Sequence, residues 1–536
     1  LNVIFLHAHF RPGGVTQVVE NQVAALSGRI DGTIVLVSGL DQSGIGASTL
    51  DRSRQVVVPE LDYDRELRRS DRPLADARQR GETIARVLGD RLGEFGIAAE
   101  QTVLHWHNHA LGKNVAHPAA IKQLAADGWR QLLQIHDFAE DFRPENYARL
   151  IDAAGASVPA DVAAYEFPQA PGIHYAMLTT ADAAVMADLG VAPQRLHVVP
   201  NSVSFDGAIL PDPDQAWGKI QAAAGLPSDA TWCVYPVRGI RRKNLGEFLL
   251  LSRLTPPSMY SGVTLEPTTA VERASYRRWR DVAVVCAPRA IFDVGHFPDV
   301  TFLDNLSASQ FVISTSVAEG FGMAYLEPWL AGRGVVARRL PHVVRDFESA
   351  GLRLDRFYDE VVVPVDDRWA GEVRREIAEA YHAAWQSIPI AFRPTVEPAS
   401  LAASSSGEID FALLTADRQV EVLRRMHDDA GFENSVRDRN ADLIASLSAP
   451  FLSSTIEHNH TVAEREYGND RAGERLLAAY RQIRTGAAEI GGARSSGVGG
   501  KAAVLGGQAI ELLSAQKGFF PCRTEVIHAR PAEGAS

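Results

Sequence analysis

The sequence predicts an α/β chain of two doubly wound parallel-sheet domains in tandem, followed by a helical C-terminal region. Three observations carry this prediction. At 536 residues the chain is too long for one ordinary core. From Val3 to Val199 short apolar runs alternate with helical patterns, as in a parallel sheet covered on both faces. After Pro211-Asp212-Pro213-Asp214 and Pro227-Ser228-Asp229, which read as linker, a second alternating series begins.

In the first series, Val3 to Phe10 reads as a strand, then a glycine-containing turn, then a helix from about Val15. Thr33 to Ser38, Thr102 to His107, Gln131 to His136, Tyr175 to Leu178 and Leu196 to Val199 read as further strands. Asp51 to Gly96 is charged and reads as mostly helical. In the second series the predicted strands are Trp232 to Val237, Val282 to Cys286, Phe311 to Ser314, Gly334 to Ala337 and Val361 to Val365. Helices are expected from about Leu245 and from about Met323. From about Asn440 the pattern turns helical, with one long charged helix over Glu464 to Ile483. Gly486 to Gly507 is rich in Gly, Ala and Ser and reads as a flexible linker. The apolar piece at Phe519-Phe520 has no assigned job. These readings divide the chain into a first domain (1–205), a linker (206–230), a second domain (231–445), C-terminal helices that could return to the first domain (446–485), and a linker with tail (486–536).

Composition narrows the function. A hydrophobic share of 46% and a charged share of 22% fit a globular protein. The net charge of -12 argues against non-specific nucleic-acid binding, which needs a basic surface. It leaves open one anionic ligand in a local basic pocket. Cys233, Cys286 and Cys522 make neither a disulfide framework nor a zinc spacing, so a reducing cytoplasm is expected. No apolar run approaches the ~18 residues of a membrane span. The apolar run Asn2 to Leu6 is too short for a signal peptide, and Leu1 suggests a native start upstream. Only six of the 54 basic residues are lysines, so a lysine at a special position is informative.

The richest stretch runs from Ser314 to Trp329. Gly320 and Gly322 let the backbone approach a ligand closely. The helix expected from Met323 would offer amides and a positive dipole end to a diphosphate. Glu327, inside that helix, could hold a vicinal diol, and Glu319 could accept hydrogen bonds from sugar hydroxyls. Four other constellations accompany it: Arg238-Gly239-Ile240-Arg241-Arg242-Lys243-Asn244 after a strand and before a helix, Arg11-Pro12-Gly13-Gly14-Val15 after the first strand, His136-Asp137 at a strand end, and Pro200-Asn201-Ser202-Val203. His105, His107 and His109 alternate and would share one strand face.

The Ser314–Trp329 segment resembles the signature of retaining glycosyltransferases of the GT-B fold, especially glycosyltransferase family 4. The resemblance is anchored near positions 13, 105, 136, 200, 238 and 319–327. It implies two Rossmann-like domains facing across a cleft, with the acceptor on the first and the nucleotide-sugar donor on the second. It also implies a role for each motif residue. Glu319 lies near the donor sugar and Glu327 binds the ribose. Gly320, Phe321, Gly322 and Met323, with Gly13 and Gly14, border the donor. Arg238 and Lys243 neutralise the diphosphate, at roughly 1.5–3 kcal/mol per charge-assisted bond. His136 reaches the reaction centre. His107, Asp137, Arg143 and Tyr147, with Glu140 and Asp141, are weaker acceptor candidates. No metal and no cofactor beyond the donor is required. Ser202 departs from the family's glycine, and Gly262 to Arg289, where base binding is expected, does not align.

Two other classes stay open: a sugar phosphorylase or nucleotide-sugar epimerase on the same scaffold, and a non-catalytic nucleotide-sugar sensor. The sequence names neither base, sugar nor acceptor, and leaves a homo-oligomer open.

Overall fold

The computed structural model describes residues 1–40, 42–64, 77–205, 207–395, 407–491 and 509–524. They form two compact units. The first comprises Leu1–Ser204, Trp385–Val396 and Arg465–Gln516; the second comprises Phe205–Ala384, Glu397–Glu464 and Lys517–Ser536.

The first unit holds a seven-stranded sheet: β1 (Asn2–His7), β2 (Ile34–Ser38), β3 (Arg54–Val57), β4 (Thr102–His107), β5 (Arg130–Ile135), β6 (Ile173–Met177) and β7 (Leu196–Val198). The spatial order is β3-β2-β1-β4-β5-β6-β7, and every pair is parallel. The order reverses between β1 and β4, the crevice where such sheets bind ligands. β1 is apolar throughout because both its faces are covered. Val3 and Phe5 join one core cluster and Ile4 and Leu6 the other. Leu476, Ala479, Tyr480 and Ile483, from the helix Asn469–Gly491, complete the first cluster. Each large apolar side chain buried there contributes about 1.5–3 kcal/mol.

The second unit repeats the plan with β8 (Thr231–Arg238), β9 (Met259–Leu265), β10 (Ala290–Ile291), β11 (Phe311–Ser314), β12 (Gly334–Arg338) and β13 (Phe357–Tyr358). The order is β10-β9-β8-β11-β12-β13, again all parallel, with the reversal between β8 and β11. An antiparallel ribbon of β14 (Val362–Pro364) and β15 (Glu408–Asp410) stands apart from this sheet.

Several sequence expectations are corrected. Val282 to Cys286 is no strand; it ends the helix Ala270–Cys286, whose Tyr276, Trp279, Ala283 and Cys286 face inward while Val284 is 74% exposed. The strand in that region is β9. Its Ser261, Gly262 and Thr264 dilute the apolar signal, yet a Cβ on Gly262 would fall 2.3 Å from the Trp232 ring. Val361 to Val365 supplies β14, outside the parallel sheet. Asp51 to Gly96 contains β3 and the helix Ala77–Glu94; residues 65–76 lie outside the described residues. The expected helix over Glu464 to Ile483 is two, Ser453–Tyr467 and Asn469–Gly491, separated at Gly468. The second of these continues into the stretch read as linker; residues 492–508 lie outside the description. Trp385–Val396, placed by sequence in the second domain, falls in the first unit, where Trp385 packs on Phe142 with ring centroids 5.2 Å apart.

Candidate active site

In the second unit, the two loops at the strand-order reversal carry the predicted cations and glutamates. β8 ends in an irregular register between Tyr235 and Arg238. Gly239 follows, and a Cβ there would meet the Tyr276 ring at 2.5 Å. The chain then makes a 3-10 turn over Arg241–Lys243, passes through Asn244 in the left-handed region (φ 49°), and enters the helix Leu245–Leu254. Asn244 tolerates that conformation better than most residues. Its Nδ2 donates to Glu247 Oε2 at 2.9 Å, and Gln419 Nε2 donates to its Oδ1 at 3.0 Å. Glu247 in turn holds the fully buried Arg338 guanidinium at 2.9 and 2.7 Å, and Arg338 also binds Asp410. The basic turn is therefore anchored on a buried network in which the Arg338 charge is met by two carboxylates, the condition under which buried charge is tolerated.

The loop after β11 is stitched to this turn. Val317 N–H donates to the Arg242 carbonyl at 3.0 Å, and Thr315 Oγ1 donates to the Lys243 carbonyl at 2.9 Å. The Tyr235 hydroxyl lies 3.2 Å from the Lys243 carbonyl and 3.1 Å from Ser316 Oγ. Glu319 is the focus. Its carboxylate pairs with Lys243 Nζ, stands 3.5 Å from Arg242 Nη1 and accepts from Ser316 Oγ at 2.5 Å. His342 Nε2 donates to its backbone carbonyl at 3.2 Å. Burial alone would raise the Glu319 pKa, but Lys243 and Arg242 outweigh it and hold the carboxyl below its ordinary range.

The remaining predicted donor residues divide. Gly322 has φ +85°, which glycine alone adopts without strain, and a Cβ there would press on Tyr325 at 2.9 Å. Phe321 is buried against Phe347, edge to face at 5.4 Å, so only its backbone is left for a ligand. The helix expected from Met323 is a 3-10 turn, Met323–Tyr325, followed by a four-residue helix, Glu327–Leu330. This helix ends ahead of the left-handed Gly332 (φ 70°) after a single turn, so little helix dipole accumulates; anion binding here rests on the cations. Glu327 opens that short helix. It is half-buried, and burial pushes its pKa up to about 7. Arg238 Nη1 donates to the Glu266 carbonyl at 3.1 Å.

In the first unit, Gly13 caps the helix Gly14–Leu26, which starts at that unit's own reversal point. A side chain on Gly14 would meet no protein atom within 4 Å, so protein packing does not demand glycine there. His136 ends β5 and is buried. Asn108, left-handed at φ 61°, accepts from the His136 and Asp137 backbone N–H groups at 3.2 and 3.0 Å and fixes that strand end. His105 and His107 stack at 4.6 Å on one face, as alternation predicts. His109 leaves that face because the chain turns at Asn108; its Nε2 donates to the Glu166 carbonyl at 3.2 Å. His105 is spoken for by Tyr480 OH at 2.8 Å and Gln134 Oε1 at 3.0 Å. Among the described residues, no group of three or more His, Cys, Asp or Glu could hold a metal ion.

The acceptor candidates fare less well. His107 is 2% exposed and its Nδ1 faces His136 Nε2 at 2.9 Å, so it supports His136 and presents no face to an acceptor. Tyr147 and Glu140 are buried, and burial raises both their pKa values, Glu140 to about 7. They belong to the packing of their loop and helix. Asp137 and Arg143 bind each other at 2.6 Å. Arg242, Ser316, His342 and Asn108 were missed by sequence reading. Arg242 was visible in the basic run, and Asn108 in a position type that favours left-handed backbone.

Two doubly wound units, one with a cation–carboxylate cluster at its switch point, define the GT-B architecture of glycosyltransferases. No family model matches the chain. It is 27% identical over 401 residues to mannosylglucosyl-3-phosphoglycerate synthase from Petrotoga mobilis, covering 73% of this chain and 74% of that protein. Its fold matches sucrose-phosphate synthase from Thermosynechococcus elongatus at 12% identity, with a TM-score of 0.52 over 90% of this chain and 99% of that one. It also matches the catalytic domain of starch synthase IV from Arabidopsis thaliana, bound to ADP and acarbose, at 12% identity, with a TM-score of 0.51 over 90% and 99%. The fold is that of the GT-B proteins, and the sequence relative is similar over most of both chains. Among the described residues, no helix is long and apolar enough to cross a membrane.

Proposed function

We propose that the chain is a retaining glycosyltransferase that moves a sugar from a nucleoside diphosphate donor to an acceptor hydroxyl. The second unit is the donor side and the first the acceptor side. The observation that carries this reading is the cluster of Lys243 and Arg242 around Glu319 at the β8/β11 switch point. Lys243 pairs with the Glu319 carboxylate beside the turn, which supports reading its ammonium as a partner for donor charge. Arg238 and Lys243, with backbone from Gly320 to Met323, hold the diphosphate. Glu327 accepts from the ribose hydroxyls, and Glu319 accepts from hydroxyls of the donor sugar; His136 is the first unit's contribution to the reaction.

As the glycosidic C–O bond breaks, negative charge grows on the departing phosphate, and fixed cations stabilise it. The acceptor oxygen attacks on the face the phosphate leaves, and the phosphate oxygen takes its proton. The configuration at the anomeric carbon is then kept without an enzyme nucleophile. A cytoplasmic location is supported by Cys233 and Cys286, buried cysteines that form no disulfide.

The test has two stages. UDP, GDP, ADP and their sugars are screened for thermal stabilisation, then nucleotide release is followed with acceptors, beginning with glucosyl-3-phosphoglycerate on the strength of the 27% relative's name. Release of nucleotide with a glycoside of unchanged anomeric configuration supports the proposal. An inverted product removes retention, and sugar phosphate made without nucleotide points instead to a phosphorylase.

A further inference from the structure

The apolar piece at Phe519-Phe520 leads into a 3-10 turn, Pro521–Arg523, that belongs to the second unit. Phe519 is fully buried and meets Tyr381 edge to face at 5.2 Å. Pro521 and Cys522 are buried too. The turn lies against three neighbours: the basic turn Arg241–Lys243, the turn Phe411–Leu413 and the helix Asp367–Ala384. Cys522 forms a small apolar cluster with Val317 and Ala412, and Phe520 packs against it.

Val317 is the residue whose N–H bonds to the Arg242 carbonyl, and it stands two positions before Glu319. The C-terminal turn is therefore packed on the contact that joins the basic turn to the glutamate loop. A three-residue 3-10 turn has poor internal hydrogen bonding, and its orientation is set by what packs on it. Cys522 supplies such packing, with Phe519 anchoring the turn on Tyr381, from more than 200 residues further along the chain than Lys243 and Glu319.

We propose that the C-terminal turn Phe519–Arg523 is a positioning element of the donor-phosphate site. It holds the Arg241–Lys243 turn and the Glu319 loop in the relation that lets Lys243 and Arg242 meet a diphosphate. The inference rests on the reading of Lys243 as a phosphate ligand.

Cys522→Trp overpacks the cluster with Val317 and Ala412, Cys522→Ala leaves room, and Phe519→Leu is a milder change at the other anchor. Each full-length variant is titrated with the nucleoside diphosphate among UDP, GDP and ADP that the wild type binds most tightly, and with its bare nucleoside. The expected result for Cys522→Trp is a loss of about tenfold or more in diphosphate affinity with nucleoside affinity unchanged, while Cys522→Ala stays near wild type. Should Cys522→Trp not fold, Phe519→Leu and a chain lacking residues 519–536 give the same split. Equal weakening of both ligands, or no weakening of either, overturns the proposal. A wild type that binds nucleoside and diphosphate equally removes the phosphate assignment itself, which is a separate failure.

Discussion

His107 Nδ1 and His136 Nε2 stand 2.9 Å apart, with their rings stacked at 5.2 Å. One nitrogen has to carry a hydrogen and the other a lone pair. Burial lowers the His136 pKa to about 4 and that of His107 well below its ordinary value, so both rings are neutral at pH 7 and the bond forms. His107 thus decides the tautomer and tilt of His136. His107→Phe removes the partner from a buried nitrogen, a loss of about 1–3 kcal/mol. The expected outcome is a kcat lower by about tenfold with an unchanged donor dissociation constant, and partial recovery in His107→Gln. Steady-state kinetics on the three proteins check it.

The same burial makes the first unit acid-sensitive. His7, His105 and His109 are lowered to about 3, and His117 and His136 to about 4. Unfolded, each binds a proton below about pH 6.5; folded, none does until far lower. Their neutral burial costs nothing above pH 6.5, and each removes up to about 1.4 kcal/mol of stability per pH unit as pH falls below it. The melting temperature should drop steeply between pH 6.5 and pH 5. A flat profile over that range would contradict the burial of these rings.

The pairing of Lys243 with Glu319 ties this cation to the fold as well as to the site. Lys243→Met leaves a buried carboxylate with Arg242 as its remaining cation, and breaking such a pair costs about 3–5 kcal/mol. The double variant Lys243→Met/Glu319→Gln should recover much of the lost melting temperature. It should not recover turnover, which is expected to fall by about 100-fold in both proteins. Calorimetry and nucleotide release, measured together, separate the two effects.

Glu327 gives a pH signature. Burial sets its pKa at about 7, and a diol is best held by the ionised carboxylate. Donor affinity should therefore strengthen as pH rises through 7 and weaken below it. The folding contribution has the opposite sign: the folded state holds this proton between the ordinary carboxyl range and pH 7, so stability from this group declines as pH rises through that window. Glu327→Gln should raise the donor KM and flatten its pH dependence. An unchanged slope in donor KM against pH would remove Glu327 from ribose binding.

The second unit's switch-point loops were legible because their signals are local. β11 and the two glycines sit close together in sequence, the basic run is compact in its own stretch, and each has a chemical reason for its position. Three kinds of feature were not legible. β9 was hidden because Gly262 answers to the Trp232 ring, a contact absent from any local pattern. Val282 to Cys286 looked like a strand because four apolar residues in a row fit either element, and only the inward face of Tyr276, Trp279 and Ala283 decides for helix. The ion pair of Lys243 with Glu319 spans 76 positions, and nothing in either neighbourhood announces it.

Tyr480 closes the first unit's core: its hydroxyl binds His105, and Leu476 and Ile483 join it in one cluster, on a helix that packs against the helix Gly14–Leu26 and β5. During synthesis the first 204 residues leave the ribosome long before these side chains exist. Until residue 483 has emerged, the cluster of Val3, Phe5, Leu36 and Leu132 lacks the four side chains that this helix adds to it. The nascent chain thus carries an unfinished, sticky sheet while the second unit is being made. Expressing the first 204 residues alone would freeze that condition, and a fusion that supplies Asn469–Gly491 is the shorter route to an isolated first unit.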